Sequence, residues 1–354
     1  MSADSLLAAR VRLEEAQARY RQLADAGGWP TIPDGDLVEP GDTAAAQVEA
    51  LRARLAAEDA LGAAAASGPV FDGELVAALA RFQARHGLMV DSLIGGNTRA
   101  ALSVPASERV AQIETTLARW DDLPDIPTGP GSRYVMVNVP EFTVRAFEGG
   151  REALQMEVVV GASYDGRATP LFNDRMDHVI FRPYWNVPPS IATEELVPQG
   201  AAALEADGFR IVSHYAPDAR VYDMTAANLR RVAAGSLRLQ QGPGPENALG
   251  LVKYMFPNQH AVYLHDTPAD QLFERAERAF SHGCIRLEDP AAFGAWVLGP
   301  KGWDEDRIRE NMMSGDRQRV DLDEAIPVFI VYLPVWADRS GQVHFSQDVY
   351  DLVG

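Results

Sequence analysis

The sequence turns to strand-forming residues at Tyr134-Val135-Met136-Val137-Asn138-Val139 and continues with Phe142-Thr143-Val144-Arg145-Ala146-Phe147 and Met156-Glu157-Val158-Val159-Val160. β-Branched and aromatic residues favour strands, and Glu148-Gly149-Gly150 supplies a turn between the second and third stretches. We therefore predict an antiparallel sheet from residue 131 onward. Further strands are predicted at 178–181, 251–256, 261–265, 327–333 and 342–346.

Two amphipathic helices are predicted before this sheet. Residues 5–26 place apolar side chains three and four positions apart, and Gly27-Gly28 ends the pattern. Residues 107–120 repeat that spacing and stop before a run rich in proline and glycine. We expect the two helices to pack together as a stalk, giving a helical scaffold made of residues 1–38 and 105–128.

A small three-helix module is predicted between the two scaffold helices, over residues 39–104. Its apolar side chains fall on two helical stripes, followed by a turn-rich stretch and a short helix. The stripes consist of Val48, Leu51 and Leu55 and of Leu75, Leu79 and Phe82. The remaining residues, 129–354, form the mainly β domain, interrupted at about 190–250 by an insertion that we call the cap. The cap either forms a lid over a site or is a structural insertion with no role in turnover.

Composition excludes some classes of function. A net charge of −18 opposes binding to a phosphate backbone, so nucleic acid is not an expected partner. No stretch approaches the roughly 20 apolar residues that span a bilayer. The chain starts without an apolar signal core, which on its own indicates a cytoplasmic protein.

The single cysteine, Cys284, is the candidate nucleophile. A lone cysteine in an unremarkable setting is more often a buried, inert thiol. Here His265 closes a predicted strand nineteen residues earlier, and a short helix is predicted at about 268–278 between them. Two strand ends bridged in this way can face one cleft, so His265 is the expected base, forming a thiolate–imidazolium pair.

Residues beside Cys284 receive supporting roles. Gly283 lets the backbone approach a substrate and point amide N–H groups at a developing oxyanion, or simply forms a turn. His282 lies two residues away, so in an extended segment it touches the thiol or lines the pocket. Arg286 binds a carboxylate or forms a surface ion pair with Glu288 or Asp289.

The segment Ser281-His282-Gly283-Cys284-Ile285-Arg286, preceded by His265-Asp266-Thr267, resembles the active-site signature of the L,D-transpeptidase catalytic (YkuD-like) domain. Pro183–Pro189, the run 241–250 and Lys253–Asn258 resemble the larger Gram-negative members of that family. Within the module, the stretches 71–75, 82–88 and 91–98 resemble a peptidoglycan-binding module, with Asp91-Ser92 where an Asp-Gly turn is usual. The module either binds glycan strands or serves as a scaffold.

The resemblance implies a multidomain chain with a mainly β catalytic domain and an all-α module. It makes Cys284 the nucleophile and His265 its base, with Ser281, His282, Gly283 and Arg286 in the pocket. Either the Asp266 side chain or a backbone carbonyl near it orients His265. The remaining candidates are aromatic or amide side chains that line a donor groove or pack in the core: Trp185, Asn186, Tyr254 and Tyr263.

The reaction that the resemblance implies needs no cofactor and no metal. Cys284 attacks the carbonyl of the third stem residue of a tetrapeptide and expels D-Ala, and an amine of a second stem peptide resolves the thioester into a 3-3 cross-link. Water, a D-amino acid or a protein amine are alternative acceptors. Such an enzyme organises the wall and cell shape, reacts with carbapenems and works in the periplasm, which implies a signal peptide already removed before Met1.

Two rival functions remain at this stage. A non-catalytic wall-binding protein would keep Cys284 as a structural thiol. A zinc peptidase would use His265, His282 and Cys284 as ligands, although the chain lacks a His-Glu-x-x-His helix.

Overall fold

The computed structural model describes residues 6–33, 35, 38–43, 45–58, 68–127 and 129–353. The predicted start of the first helix at residue 5 and the stretch 59–67 of the predicted module lie outside the described residues. In the described part of the chain, no helix has both the length and the apolar character needed to cross a membrane.

The N-terminal third is helical. Its helices are α1 (Leu6–Asp25), α2 (Ala45–Ala57), α3 (Gly73–Arg85), α4 (Gly96–Ser103) and α5 (Ala106–Asp121). The predicted three-helix module is confirmed, since the residues of the two predicted apolar stripes on α2 and α3 are fully buried in one cluster with residues of the following loop and α4. Asp72 caps α3 by accepting a hydrogen bond from the Leu75 N–H at 3.1 Å.

Helices α1 and α5 pack together as predicted, but they do not form a free-standing stalk. Leu13 and Tyr20 of α1 and Ile113 of α5 share one buried cluster with strand residues such as Met136 and Phe329. The apolar stripes are wide enough to cover the outer face of the sheet as well as each other. The scaffold therefore forms one layer of the β-rich part of the molecule.

The β-rich part contains fifteen strands in the described ranges. They are β1 (Arg133–Asn138), β2 (Thr143–Glu148), β3 (Arg151–Gly161), β4 (Phe172–Phe181), β5 (Trp185–Asn186), β6 (Phe209–Val212), β7 (Val221–Tyr222), β8 (Arg238–Gln241), β9 (Val252–Met255), β10 (Leu264–His265), β11 (Ala279–Ser281), β12 (Ile285–Leu287), β13 (Gln318–Val331), β14 (Val335–Ala337) and β15 (Val343–Phe345). The later helices are α6 (Pro189–Ile191), α7 (Ala201–Ala206), α8 (Ala226–Ala233), α9 (Pro290–Leu298) and α10 (Glu305–Met313).

The main sheet has the strand order β11-β3-β12-β10-β9-β4-β13-β1-β2, and β2 also pairs with β3, so the sheet closes on itself. The predicted antiparallel pairing of β1, β2 and β3 is confirmed. The pairs β1–β13, β10–β12 and β3–β11 are parallel, which makes the whole sheet mixed. Its inner face packs on α9 and α10 in the largest buried cluster.

The prediction of a helix at about 268–278 is wrong. Only a single 3-10 turn, Asp270–Leu272, forms there, and the rest of the segment consists of turns and bends. The Thr267 hydroxyl accepts a hydrogen bond from the Ala269 N–H at 3.2 Å, and Arg278 donates to the Arg275 carbonyl at 2.7 Å. These local side-chain hydrogen bonds compete with helical ones, and Pro268 supplies no N–H. The strand predicted at 261–265 is also shorter, because only Leu264 and His265 pair.

The cap is a small unit with its own sheet and core. Within the fully described segment 185–250, strands pair in the order β5-β8-β6-β7, so the unit begins at Trp185 rather than at residue 190. Its buried residues include Leu204, Ile211 and Leu239. A π-helix at Ala192–Leu196 lies near the start of this segment.

Candidate active site

The register of three adjacent strands brings charged and polar side chains to one face of the sheet. His265 on β10 lies opposite Lys253 on β9 and opposite Arg286 on β12. Their neighbours Leu264 and Ile285 are fully buried in the core below. Because successive strand residues alternate between faces, Lys253, His265 and Arg286 share the face away from that core.

Cys284 and Tyr263 extend this face. Each lies two residues before a member of it, so both side chains point the same way. The Tyr263 ring lies 5.7 Å from the His265 ring and 4.8 Å from Lys253 Nζ. Cys284 is half-buried, with its Sγ 3.7 Å from the Ala261 carbonyl oxygen. Burial raises the pKa of the Cys284 thiol, and hydrogen bonds from Tyr263 partly oppose that shift.

A backbone carbonyl orients His265. Its Nδ1 lies 2.5 Å from the Asp266 carbonyl oxygen, which can only accept, so Nδ1 carries the proton and Nε2 is the unprotonated nitrogen of the neutral ring. Burial, and next the positive charge of Arg286, lowers the pKa of His265 to about 3. The imidazole is therefore neutral near pH 7, and the resting pair is thiol and imidazole rather than the expected ion pair.

The Asp266 side chain has a different task. Its carboxylate accepts hydrogen bonds from the Leu251 N–H at 2.7 Å and from the Thr267 N–H at 2.8 Å. Burial raises the pKa of Asp266. The carboxylate thus ties the backbone just before β9 to the backbone just after β10.

Ser281 and Gly283 build the turn that presents Cys284. The buried Ser281 hydroxyl accepts from the Gly283 N–H at 3.1 Å and donates to the Cys284 carbonyl at 2.5 Å. Gly283 has φ +109°, a conformation that favours glycine. Its N–H is already used within the turn and does not point at an oxyanion. The Cys284 N–H, in contrast, has no hydrogen-bond acceptor among the described residues.

His282 joins the cap to the turn that carries Cys284. Its Nε2 lies 2.7 Å from Glu195 Oε1, and Arg167 Nη2 lies 2.7 Å from the same oxygen. Glu195 belongs to the π-helix of the cap. Partial burial acts to raise the pKa of Glu195, but the hydrogen bond with His282 and the charge of Arg167 bring it below its usual value.

Lys253 is the site residue that the sequence analysis missed. Burial lowers its pKa to about 8, and the nearest acidic group acting on it is the Cys284 thiol. The available signal was alternation: Lys253 interrupts an apolar strand at a position that shares a face with His265.

Arg286 forms no ion pair within the described ranges. Of its two predicted partners, Asp289 lies 3.8 Å from Arg309, and Glu288 accepts a hydrogen bond from the Glu157 N–H.

Three of the aromatic and amide candidates lie elsewhere. Tyr254 is fully buried in the core and donates its hydroxyl hydrogen to the Pro290 carbonyl, so of its two predicted places, a substrate groove or the core, it occupies the core. As the neighbour of Lys253 on β9, it faces the opposite side of the sheet. Trp185 packs on Phe209 inside the cap, and Asn186 accepts from Gln240 at 2.6 Å, also inside the cap. Only Tyr263 joins the site.

The three ligands of the zinc alternative do not converge. His282 faces Glu195, whereas His265 lies beside Tyr263. Among the described residues, no group of three or more His, Cys, Asp or Glu side chains is arranged to hold a metal ion.

Comparison with known proteins identifies two families. Residues 132–322 match the model of the L,D-transpeptidase catalytic domain (YkuD), and residues 44–102 match a "Putative peptidoglycan binding domain". A curated Haemophilus influenzae protein named "Putative L,D-transpeptidase" is 29% identical over 233 residues, which cover 64% of this chain and 45% of that protein. The chain thus spans about half the length of this relative.

The chain also matches solved structures that are named L,D-transpeptidases. The enzyme of Stackebrandtia nassauensis is 16% identical, with 85% of this chain and 96% of that chain covered and a TM-score of 0.31. L,D-transpeptidase 3 of Mycobacterium tuberculosis, solved with a faropenem-derived adduct, is 13% identical, with 56% and 60% covered and a TM-score of 0.27.

Proposed function

Since the chain belongs to the L,D-transpeptidase catalytic domain family, we propose that it is a peptidoglycan L,D-transpeptidase that forms 3-3 cross-links between stem peptides. The observation that carries this proposal is the shared face of Cys284, Tyr263, His265, Lys253 and Arg286 at the ends of neighbouring strands. It combines a thiol, a neutral imidazole and two cations on one face of the sheet.

The first half-reaction acylates Cys284. His265 Nε2 takes the thiol proton as Sγ attacks the carbonyl carbon of the third stem residue, and Lys253 and Arg286 stabilise the negative charge that develops on sulfur. The C–N bond to D-Ala then breaks, and the imidazolium returns its proton to the leaving amine. A thioester on Cys284 and free D-Ala result.

The second half-reaction transfers the acyl group. The side-chain amine of a second stem peptide attacks the thioester carbon and loses its proton to His265, and the released thiolate takes that proton back. The cap stands where it limits access of water, since Glu195 pairs with His282 beside the nucleophile. Exclusion of water favours an amine acceptor over hydrolysis.

We also propose that the enzyme acts in the periplasm and that the module guides it to glycan strands. Support comes from the match of residues 44–102 to a peptidoglycan-binding family. The motif residues themselves do not add to it: Gln83 Nε2 donates to Asp91 at 2.8 Å and to Thr98 at 3.2 Å, so these side chains serve the fold of the module.

Product analysis tests the proposed reaction. The protein is incubated with disaccharide-tetrapeptide muropeptides, and the products are separated by mass. We expect loss of D-Ala together with a 3-3 linked dimer. Release of D-Ala without a dimer would assign water as the acceptor, and failure to release D-Ala would leave the wall-binding function. Activity lost on treatment with a strong chelator would instead favour the zinc peptidase.

Removing the charge of Glu195 is expected to weaken donor binding. Glu195→Gln loses the attraction to His282 and Arg167, and each partly exposed pair is worth about 0.2–1 kcal/mol. KM for the donor should therefore rise roughly two- to thirtyfold. The matched control is Glu194→Gln, an exposed neighbour on the same π-helix that should leave KM unchanged. Equal KM values for both variants would assign the cap a purely structural role.

Because of Lys253, the acylation rate should change with pH in the alkaline range. Above about pH 8 the ammonium loses its proton, and the thiolate loses a stabilising charge. Lys253→Arg keeps the charge, so the ratio of the wild-type rate to the Arg-variant rate should fall as pH rises through 8. Lys253→Met should lose about tenfold at pH 7. The rates are measured as loss of free thiol during reaction with donor, and a ratio constant from pH 6 to 10 would refute the role.

A further inference from the structure

Thr169 connects two backbone segments beneath the catalytic turn. It lies between β3 and β4 and is only 2% exposed. Its hydroxyl accepts a hydrogen bond from the Gly161 N–H at 2.8 Å and donates one to the Gly283 carbonyl oxygen at 3.0 Å. Thr169 and Gly283 are 114 positions apart in the chain, so this contact exists only in the folded protein.

Two further residues hold Thr169 in place. The Tyr350 hydroxyl donates to the Gly161 carbonyl at 2.6 Å and accepts from the Thr169 N–H at 3.0 Å. Gly161 must lack a side chain, because a Cβ there would lie 2.0 Å from the Arg167 carbonyl oxygen. Tyr350 of the C-terminal segment thus completes a ring of hydrogen bonds with Gly161 and Thr169. Thr169 links this ring to the Gly283 carbonyl.

The contact to Gly283 determines where the next amide points. Among the described residues no peptide bond is cis, and in a trans peptide the C=O and the following N–H point in opposite directions. With the Gly283 carbonyl held by Thr169, the Cys284 N–H points away from Thr169. Ser281 fixes the Gly283 N–H and the Cys284 carbonyl, whereas the Cys284 N–H remains available to a substrate.

We propose that Thr169 is a positioning residue that aims the Cys284 N–H at the oxygen of the donor carbonyl as the tetrahedral intermediate forms. This inference rests on the proposed transpeptidase function. Thr169 itself contacts no substrate; it acts by preventing rotation of the Gly283–Cys284 peptide. An oxyanion donor must be in place before the reaction, since misplacement by about 1 Å can cost on the order of 100-fold in rate.

The test compares Thr169→Val, which removes the hydroxyl at nearly constant volume, with Thr169→Ser, which keeps it. We expect kcat for D-Ala release to fall roughly 10- to 100-fold in the Val variant with KM changed less than about threefold, and to stay within about threefold of wild type in the Ser variant. The matched control is Thr116→Val in α5, a buried threonine whose hydroxyl also donates to a backbone carbonyl, that of Gln112. It should leave kcat unchanged.

Two results would overturn the inference: a Thr169→Val variant with wild-type kcat, or equal losses in the Val and Ser variants. If the Val variant does not fold, Tyr350→Phe decides, because it removes the hydroxyl that supports Thr169 and leaves Thr169 itself unchanged. A fall in kcat at constant KM supports the role, and wild-type kcat overturns it. A wild-type protein that releases no D-Ala would instead contradict the proposed function itself.

Discussion

Cys284→Ala is expected to abolish both release of D-Ala and formation of the 3-3 dimer, with activity falling below detection. No other side chain in the chain can supply a thiol, because Cys284 is the only cysteine. A hydroxyl at this position is a far weaker nucleophile at neutral pH, so Cys284→Ser should also lose at least about 1,000-fold. The measurement is muropeptide turnover followed by mass analysis of the products.

The single cysteine also gives this prediction a direct readout on the intact protein. A carbapenem should add its mass to the wild-type chain once, and it should add nothing to Cys284→Ala. The alanine variant should keep its unfolding midpoint within a few degrees, since the side chain is half-buried and no larger group is removed. An adduct or a dimer that persists in a folded Cys284→Ala variant would contradict the assignment of the nucleophile.

The residues that the sequence could predict are those whose signal is local. Cys284, His265 and Arg286 lie in short motifs, and the strand pattern after residue 131 repeats every second residue. The misassigned segment, 268–278, has helix-forming composition, but Thr267 and Pro268 change its local hydrogen bonding. In this segment, local side-chain hydrogen bonds outweigh helix propensity, and the spacing of apolar residues does not reveal such bonds.

The contacts that the sequence could not predict are long-range. Glu195 meets His282 across 87 positions, and Thr169 meets Gly283 across 114. Tyr254 and Lys253 illustrate the same limit at one strand: they are neighbours, and only the register against β10 decides which of them faces the site. A shift of one residue in that register would exchange their places.

His265 was identified from its motif, but its protonation state came from the fold. A histidine with an ordinary pKa of about 6.5 would be protonated over much of the acidic range and could not accept the thiol proton there. Burial and the charge of Arg286 exclude that state down to about pH 3. The catalytic pair therefore begins as neutral partners, and the proton must move during the attack itself rather than before it.

Two consequences for pH follow from the buried, neutral His265. The rate of acylation should stay constant between about pH 5 and 7, because the base does not titrate there. The free energy of unfolding should fall with acid below about pH 6.5, because the unfolded chain binds a proton that the native imidazole refuses, with a slope of up to about 1.4 kcal/mol per pH unit for this group. Both follow from the same lowered pKa.

His265→Gln tests both consequences together. Glutamine can still donate to the Asp266 carbonyl but cannot take a proton, so acylation should fall roughly 100- to 10,000-fold. The same variant should resist acid better than wild type between pH 6.5 and 3, because its side chain has no proton to gain. Stability is followed by urea unfolding at several pH values, and rate by loss of free thiol during reaction with donor.

The matched control is His260→Gln, since His260 is exposed and removing its imidazole should alter neither measurement. A wild-type rate that drops tenfold per pH unit below 6.5 would instead mean that His265 titrates normally and loses its function as a base on protonation. A variant that loses activity and also loses stability at every pH would show His265 to be a packing residue. Inactivation combined with greater resistance to acid is the outcome that only a buried, neutral base produces.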